Sequence, residues 1–345
     1  MKKFLSLALA LIMVLSLVAC GDTASDDTNT GDTASDTEQT GEIKGLTAEE
    51  RAKEFITVGT GPTSGIYFPI GGAFATALKE YGYQTSAEAT NATGQNIQNI
   101  LNGDAEIAIA MQDAVMQAYT GTGAYEGKGE ASDLRALIRL WPNYVQLVTV
   151  EGTGINSVED LRGKRVCVGD VGSGTYFNAL DVFAAYDMTI DDVSPVYQSF
   201  GDSTESLKDG KIDAAFVVAG APTPAVTDLC TTKGAYLVSL DDEHIVKLKE
   251  ISGAYTECTI PGGTYEGIDD DVKTVAVKAT IIASDKVTDE EAYAIVSTIF
   301  ENKDAIAELH AKGAELDLEY ASSCGLPYHP GAAKYFAEKG LTVTE

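Results

Sequence analysis

Short apolar runs rich in branched residues, such as FITV, EIAIA, RVCV and AAFVV, punctuate the chain. Each is followed by a glycine- or acid-rich turn and then by a longer helix-like run, such as IGGAFATALKEYG or FNALDVFAAY. The order recurs. The stretch ITVGTGPTSGIYFPIGGAFATAL followed by NATGQNIQNILNGDAEIAIAMQ parallels RVCVGDVGSGTYFNALDVFAAY followed by QSFGDSTESLKDGKIDAAFVVAG. Gly59 then corresponds to Gly169, Tyr67 to Tyr176 and Gly103 to Gly210. Strands alternating with helices predict parallel sheets in an α/β fold, here in two lobes. Two extended apolar runs, RALIRLWPNYVQLVTV and VKTVAVKATIIAS, follow the two copies and are expected to cross between the lobes as a hinge. The expected first lobe is 46–146 plus 276–345, and the second is 147–275.

The N-terminus departs from this pattern. Lys2 and Lys3 precede the apolar run FLSLALALIMVLSLVA, which stops at Cys20. A run this short reads as a secretory signal over 1–19 rather than a membrane span. Leu17-Val18-Ala19-Cys20 resembles a bacterial lipobox, which makes Cys20 the lipidation site. Residues 20–45 read as a lipidated cysteine and a disordered tether, in which GDTASD occurs twice and no aromatic residue is present. The expected location is extracytoplasmic, on the outer face of the bacterial cytoplasmic membrane.

Charge removes one class of partner. Lys plus Arg is 24 and Asp plus Glu is 52, so loss of Lys2 and Lys3 leaves 22 − 52 = −30. Nucleic acid, which needs a basic footprint, is not an expected partner. Cys167, Cys230, Cys258 and Cys324 form no C-x-x-C pair, and His244, His310 and His329 are scattered, so no metal site and no cofactor are expected. A Cys230–Cys258 disulfide is possible by compartment and undecided by sequence.

In open α/β sheets ligands sit beyond the carboxyl ends of the strands. The turn GTGPTSGIYFP lacks Gly-Lys-Ser/Thr and is not a P-loop; Ser64 also spoils a dinucleotide fingerprint. Six loops should line the cleft: Gly59–Pro69, Asn91–Asn96, Met111–Ala114, Gly169–Asn178, Gln198–Thr204 and Ala219–Ala225. They hold no Arg or Lys, but do hold Asp113, Asp170 and Asp202. A ligand carboxylate must then rest on backbone amides and hydroxyls at helix N-termini, each contact being worth roughly 0.3–1 kcal/mol when exposed. A zwitterion suits such a cleft better than a phosphate.

The blocks GTGPTSGIYFPIGG, GDAEIAIAMQD, LIRLWPNYVQLV, GKRVCVGDVGSGT, DGKIDAAFVVAGAPTPA, GGTYEGIDDDVKTVAV and LPYHPGAAKYFAEKG run in order through nearly all of the chain after the tether. Together they resemble the TAXI family, the extracytoplasmic solute receptors of TRAP transporters. The resemblance implies a two-lobed type II periplasmic-binding-protein fold with two hinge crossings. It also implies a glutamate-like amino acid or carboxylate as solute, and a TRAP permease as membrane partner of a monomeric receptor. Carried over, the ligand contacts are Thr63, Ser64, Gly65 and Tyr67 with Asn96 from the first lobe. From the second they are Ser173, Gly174 and Thr175, with Gly220, Pro222 and Thr223. Gln112, Asp113 and Trp141 join them where the family often has Gln-Ser-Asp and Tyr, and these departures bear on solute identity.

Structural alternatives stand beside these roles. Trp141 could be hinge core, Tyr67 a packed helix residue, and Asp113 the cap of a helix starting at Ala114. His329, between prolines, reads as structural. No catalytic residue is expected: the sequence lacks a Gly-x-Ser-x-Gly elbow and no histidine accompanies the cleft loops. A hydrolase is thus the lesser alternative, and a ligand-sensing or adhesive lipoprotein the greater.

Overall fold

A computed structural model describes residues 46–344. The apolar N-terminal run, Cys20 and the tether lie outside the described residues. The strands are β1 (Phe55–Gly59), β2 (Gln84–Glu88), β3 (Ile107–Met111), β4 (Leu134–Val150), β5 (Arg165–Cys167), β6 (Ser194–Val196), β7 (Ala214–Ala219), β8 (Ala235–Val238), β9 (Thr256–Ile260) and β10 (Val272–Ser284). Between them run α1 (Ala48–Arg51), α2 (Tyr67–Glu80), α3 (Thr93–Asn102), α4 (Gln112–Thr120), α5 (Gly174–Ala185), α6 (Phe200–Lys208), α7 (Pro224–Lys233) and α8 (Asp242–Ile251). After the last strand come α9 (Asp289–Glu301), α10 (Lys303–Leu309), α11 (Leu318–Ala321) and α12 (Pro330–Glu338).

The duplicated sequence becomes a duplicated strand order. One sheet runs β2-β1-β3-β10-β4-β7-β5-β6, with β8 added to β4 and β9 to β10. On one side β1 pairs in parallel with β2 and β3, and on the other β5 pairs in parallel with β6 and β7. Each trio ends on a long antiparallel strand, β10 for the first and β4 for the second. The central strands β3 and β7 are buried along their whole length, which is why both read as unbroken apolar runs.

The two long strands join the halves. Residues Leu134–Tyr144 of β4 pair with β10, while Tyr144–Thr149 pair with β7. Residues Ala279–Ile282 of β10 pair with β3, while Val272–Ala276 pair with β9. The fold is the expected two-lobed α/β arrangement with two crossings, at about Tyr144 and Val277. One apolar core fills the first half, packing Phe74, Trp141, Ile281 and Phe336. Two cores cover the opposite faces of the second half, one around Phe183 and Phe216 and one around Val217 and Leu229.

Particular residues explain the repeated signals. Gly103 closes α3 in the left-handed conformation (φ 80°), and its counterpart Gly210 follows α6 at φ 66°. A non-glycine residue would be strained at both stops. The paired tyrosines do not share a helical position: Tyr67 begins α2, whereas Tyr176 is the third residue of α5. The helix expected to start at Ala114 starts at Gln112, so Asp113 lies inside its first turn and Met111 holds the cap position. His329 is structural: it is buried, its ring accepts from Gly331 N, and its Nε2 bonds the Val287 carbonyl. Cys230 and Cys258 are free thiols, so the possible bridge is not formed. Among the described residues no helix is long and apolar enough to cross a membrane.

Candidate functional site

The halves meet at the carboxyl ends of the parallel strands, and α2, α3 and α5 all begin there. Of these, α2 and α3 have no side-chain cap: their flanking residues are Ile66 and Ala92. In α2 the first-turn N–H groups of Tyr67 and Phe68 are therefore left for something outside the helix, Pro69 having none. On the facing half Ser173 caps α5, its Oγ accepting from Tyr176 N at 3.1 Å. Ser173 N is spent on the Asp170 carbonyl. The N–H groups of Gly174 and Thr175, next in the turn, have no partner inside the helix.

Between these two helix ends lies a cavity. Its walls include Gly61, Gly65, Ile66 and Tyr67 from the first half and Gly169, Asp170, Ser173, Gly174 and Thr175 from the second. Asn91, Ala92, Met111, Gln198, Ser199 and Phe200 complete much of the rest. The space between the lining atoms, part of it open to solvent, is about 490 Å³.

The lining is bipolar. Two helix N-termini offer donors and positive potential. Against them stand the Gln198 Oε1, buried with no protein donor, and the Asp170 carboxyl. Burial, and then the neighbouring Asp202, push the Asp170 carboxyl above its ordinary range. Tyr67 is 7 % exposed and its hydroxyl accepts from Asn143 Nδ2 at 2.6 Å. Burial drives that phenol far above its usual range, so it stays neutral. Ala92, also in the lining, holds φ 62° and ψ −139°, a backbone state that costs a non-glycine residue roughly 1–3 kcal/mol. Such strain is often found at ligand clamps.

The halves touch directly around the cavity. Ser64 Oγ accepts from Gly201 N at 3.0 Å across the gap. Gly94 in α3 abuts the Gly172 carbonyl so closely that a Cβ there would collide with it, and Gly174 is pressed against the Met111 thioether. These are contacts of a closed arrangement.

The structure separates the residues expected to bind ligand. Gly65, Tyr67, Ser173, Gly174 and Thr175 line the cavity together. Ser64 bridges the halves instead, and Thr63 and Pro222 face solvent. Asn96 is spent inside the protein: its amide donates to the Thr60 and Ile109 carbonyls and its oxygen accepts from Thr90. Thr223 is likewise bonded to Gly220, Gln146 and Tyr265. Trp141 is 2 % exposed within the first core, its indole edge near Gly220. Gln112 and Asp113 line a different cleft.

Sequence reasoning about the loops missed one cation, because it comes from far along the chain. Lys312 is 5 % exposed, its stem lies against Gly220, and its Nζ meets Glu315 Oε1 at 2.6 Å. Away from the cleft, Glu159, Asp241 and His244 bring three possible metal-ligand atoms within 4.8 Å of one another. His244 Nδ1 is already engaged by Asp241 at 2.7 Å and its ring stacks on Tyr186.

A model of the NMT1-like family matches residues 58–340. Among solved structures, a protein from Bordetella bronchiseptica is similar with a TM-score of 0.50 and 17 % identity, over 83 % of this chain and 89 % of that one. The periplasmic aliphatic sulphonate binding protein of Escherichia coli is similar at TM-score 0.44 and 13 % identity, over 83 % and 90 %. An ancestral arginine-binding protein bound to arginine is similar at TM-score 0.46 and 18 % identity, over 76 % and 98 %.

Proposed function

The chain belongs to the NMT1-like family, and from that premise and the interlobe cavity we propose that it is an extracytoplasmic solute receptor for a small amino acid or carboxylate. One observation carries this reading: two helix N-termini, one from each half, converge on one cavity whose lining also includes the polar residues Asn91, Asp170, Gln198 and Ser199. A carboxylate meets the amides of α2 and α5, and an ammonium meets the oxygen acceptors. The similar proteins whose names mention sulphonate and arginine binding are consistent with this class of ligand. The chain's resemblance to TAXI receptors supports delivery to a TRAP permease, with glutamate as the first candidate. The LVAC signal at Cys20 supports a lipid anchor at the outer face of the cytoplasmic membrane. None of the cavity's lining residues is a histidine, which favours capture over hydrolysis.

A thermal-shift screen over amino acids and small carboxylates tests the reading, because a ligand specific to the native state must raise its stability. At least one compound should raise the midpoint. Ser173→Asp is the informative variant. Aspartate is as good a helix cap as serine, so α5 survives, but its charge opposes a bound carboxylate in a dry cavity. Ser173→Asp should melt like the wild type and lose the ligand shift. Undiminished binding by Ser173→Asp, or no shift with any compound, would refute this placement.

A further inference from the structure

The glycine-rich cavity has only a few polar groups to offer a solute. Asp170 is the one charged side chain in its lining, which contains no lysine, arginine or histidine. Lys312 lies against Gly220 outside the lining, its ammonium held by Glu315 at 2.6 Å. Lys128 belongs to a neighbouring groove, its ammonium 5.1 Å from the centre of the Tyr125 ring. Several polar groups of the lining are already engaged. Ser173 Oγ caps α5, Ser199 Oγ donates to Asp202 Oδ2 at 2.7 Å, and the Tyr67 hydroxyl is bonded to Asn143. Asn91 N and Ala92 N donate to Gln95 Oε1 and Thr90 Oγ1. At the start of α6, Gly201 N and Asp202 N donate to Ser64 Oγ and Ser199 Oγ.

What stays free divides by chemistry. The amides of Tyr67, Gly174 and Thr175 are donors, enough for the two oxygens of one carboxylate. Gln198 Oε1 and the Asp170 carboxylate are acceptors, suited to one ammonium. The rest of the wall is largely apolar, with Ile66, Met111, Phe200 and Val218. A second carboxylate on the solute would meet no cation there. It would also share the space with Asp170 and with the charge of Asp202, which Asp170 already feels. Unpaired and like charges drawn out of water are costly. A cationic side chain would compete with the solute's own ammonium for Asp170.

We propose that the solute is a neutral amino acid with an aliphatic side chain. Its carboxylate lies on the amides that open α2 and α5, and its ammonium on Asp170 and Gln198 Oε1. Its side chain packs against Ile66, Met111, Phe200 and Val218. The assignment rests on the receptor reading and turns it away from glutamate, the candidate that family resemblance alone supplies.

Calorimetry on the full chain compares leucine, valine and alanine with glutamine, glutamate, arginine and isocaproate, which is leucine without its amine. One of the aliphatic amino acids should bind tightest, by roughly ten-fold or more over glutamate, arginine and isocaproate. Asp170→Asn keeps the shape and the backbone carbonyl that Ser173 N uses, and removes the charge. It should shrink leucine's advantage over isocaproate, and an undiminished gap would overturn the placement of the ammonium. Tightest binding by glutamine, by a charged amino acid or by isocaproate would overturn the aliphatic assignment and leave the receptor reading in place. Binding of none of these compounds would overturn it too, and the wider thermal-shift screen would then decide whether the receptor reading falls with it.

Discussion

At the residue scale the chemistry is decided by which polar atoms are already engaged. Asn96, inside α3, and Thr223, just before α7, belong to segments that the sequence marks for ligand, yet each is bonded inside its own half. Ser64 is diverted to Gly201 N. Residue type and position cannot reveal this, because a hydrogen bond over 137 positions depends on how the halves dock. Asp113 yields a prediction. Its carboxyl rises from an ordinary value of 3.8 to about 6, chiefly through burial. The native state therefore binds more protons than the unfolded chain between those values, and stability falls as pH rises through that window. The stabilising contribution is complete below the unfolded value and gone above the folded one. Urea denaturation should show the wild type losing roughly 1.4 kcal/mol per pH unit relative to Asp113→Asn between about pH 4 and 6. Parallel stability curves for the two proteins would contradict it.

At the scale of elements, helix starts are the working parts. The glycine-rich turns before α2 and α5 stand out in the sequence because close approach and free amides both need small residues there. The same logic explains Gly94 in the first turn of α3, which lets that helix reach the Gly172 carbonyl of the other half. Gly94→Ala puts a methyl against backbone that cannot move aside cheaply. Within the first half nothing opposes the change, and alanine is the better helix former. The variant should keep or raise its melting temperature without ligand but bind solute at least ten-fold more weakly, since about 1.4 kcal/mol spent on a strained closed state suffices. Calorimetry reads the affinity, and unchanged binding would mean that the Gly94–Gly172 contact is not part of the bound state.

For the whole molecule, β4 and β10 are the only strands among the described residues that pair with both halves of the sheet. Rotation about their crossings would open the cavity while leaving each core intact, as hinge motion requires. Solute shifts an open–closed equilibrium only by its preference for one state. Small-angle scattering should give a smaller radius of gyration at saturating solute than without it; an unchanged radius would count against closure. Membrane attachment belongs to the same scale. Labelling with a palmitate analogue should mark the wild type and spare Cys20→Ser, and equal labelling would remove the anchor from the account.

Much of the architecture was open to reading from the chain alone. The apolar runs, the glycine stops and the repeated strand–turn–helix order specify local structure, because burial period and left-handed glycine sites are short-range properties. From them came the two-lobed fold, the two crossings and the glycine-rich turns that hold Gly65, Tyr67 and Ser173–Thr175 at one cavity. Docking of the halves decided the rest. It turned Ser64 into a bridge, brought Lys312 against Gly220, and set Asp113 beside Asn178 and Asp181. These outcomes depend on contacts between residues scores of positions apart, and on desolvation that exists only once the two surfaces meet. No local pattern encodes either.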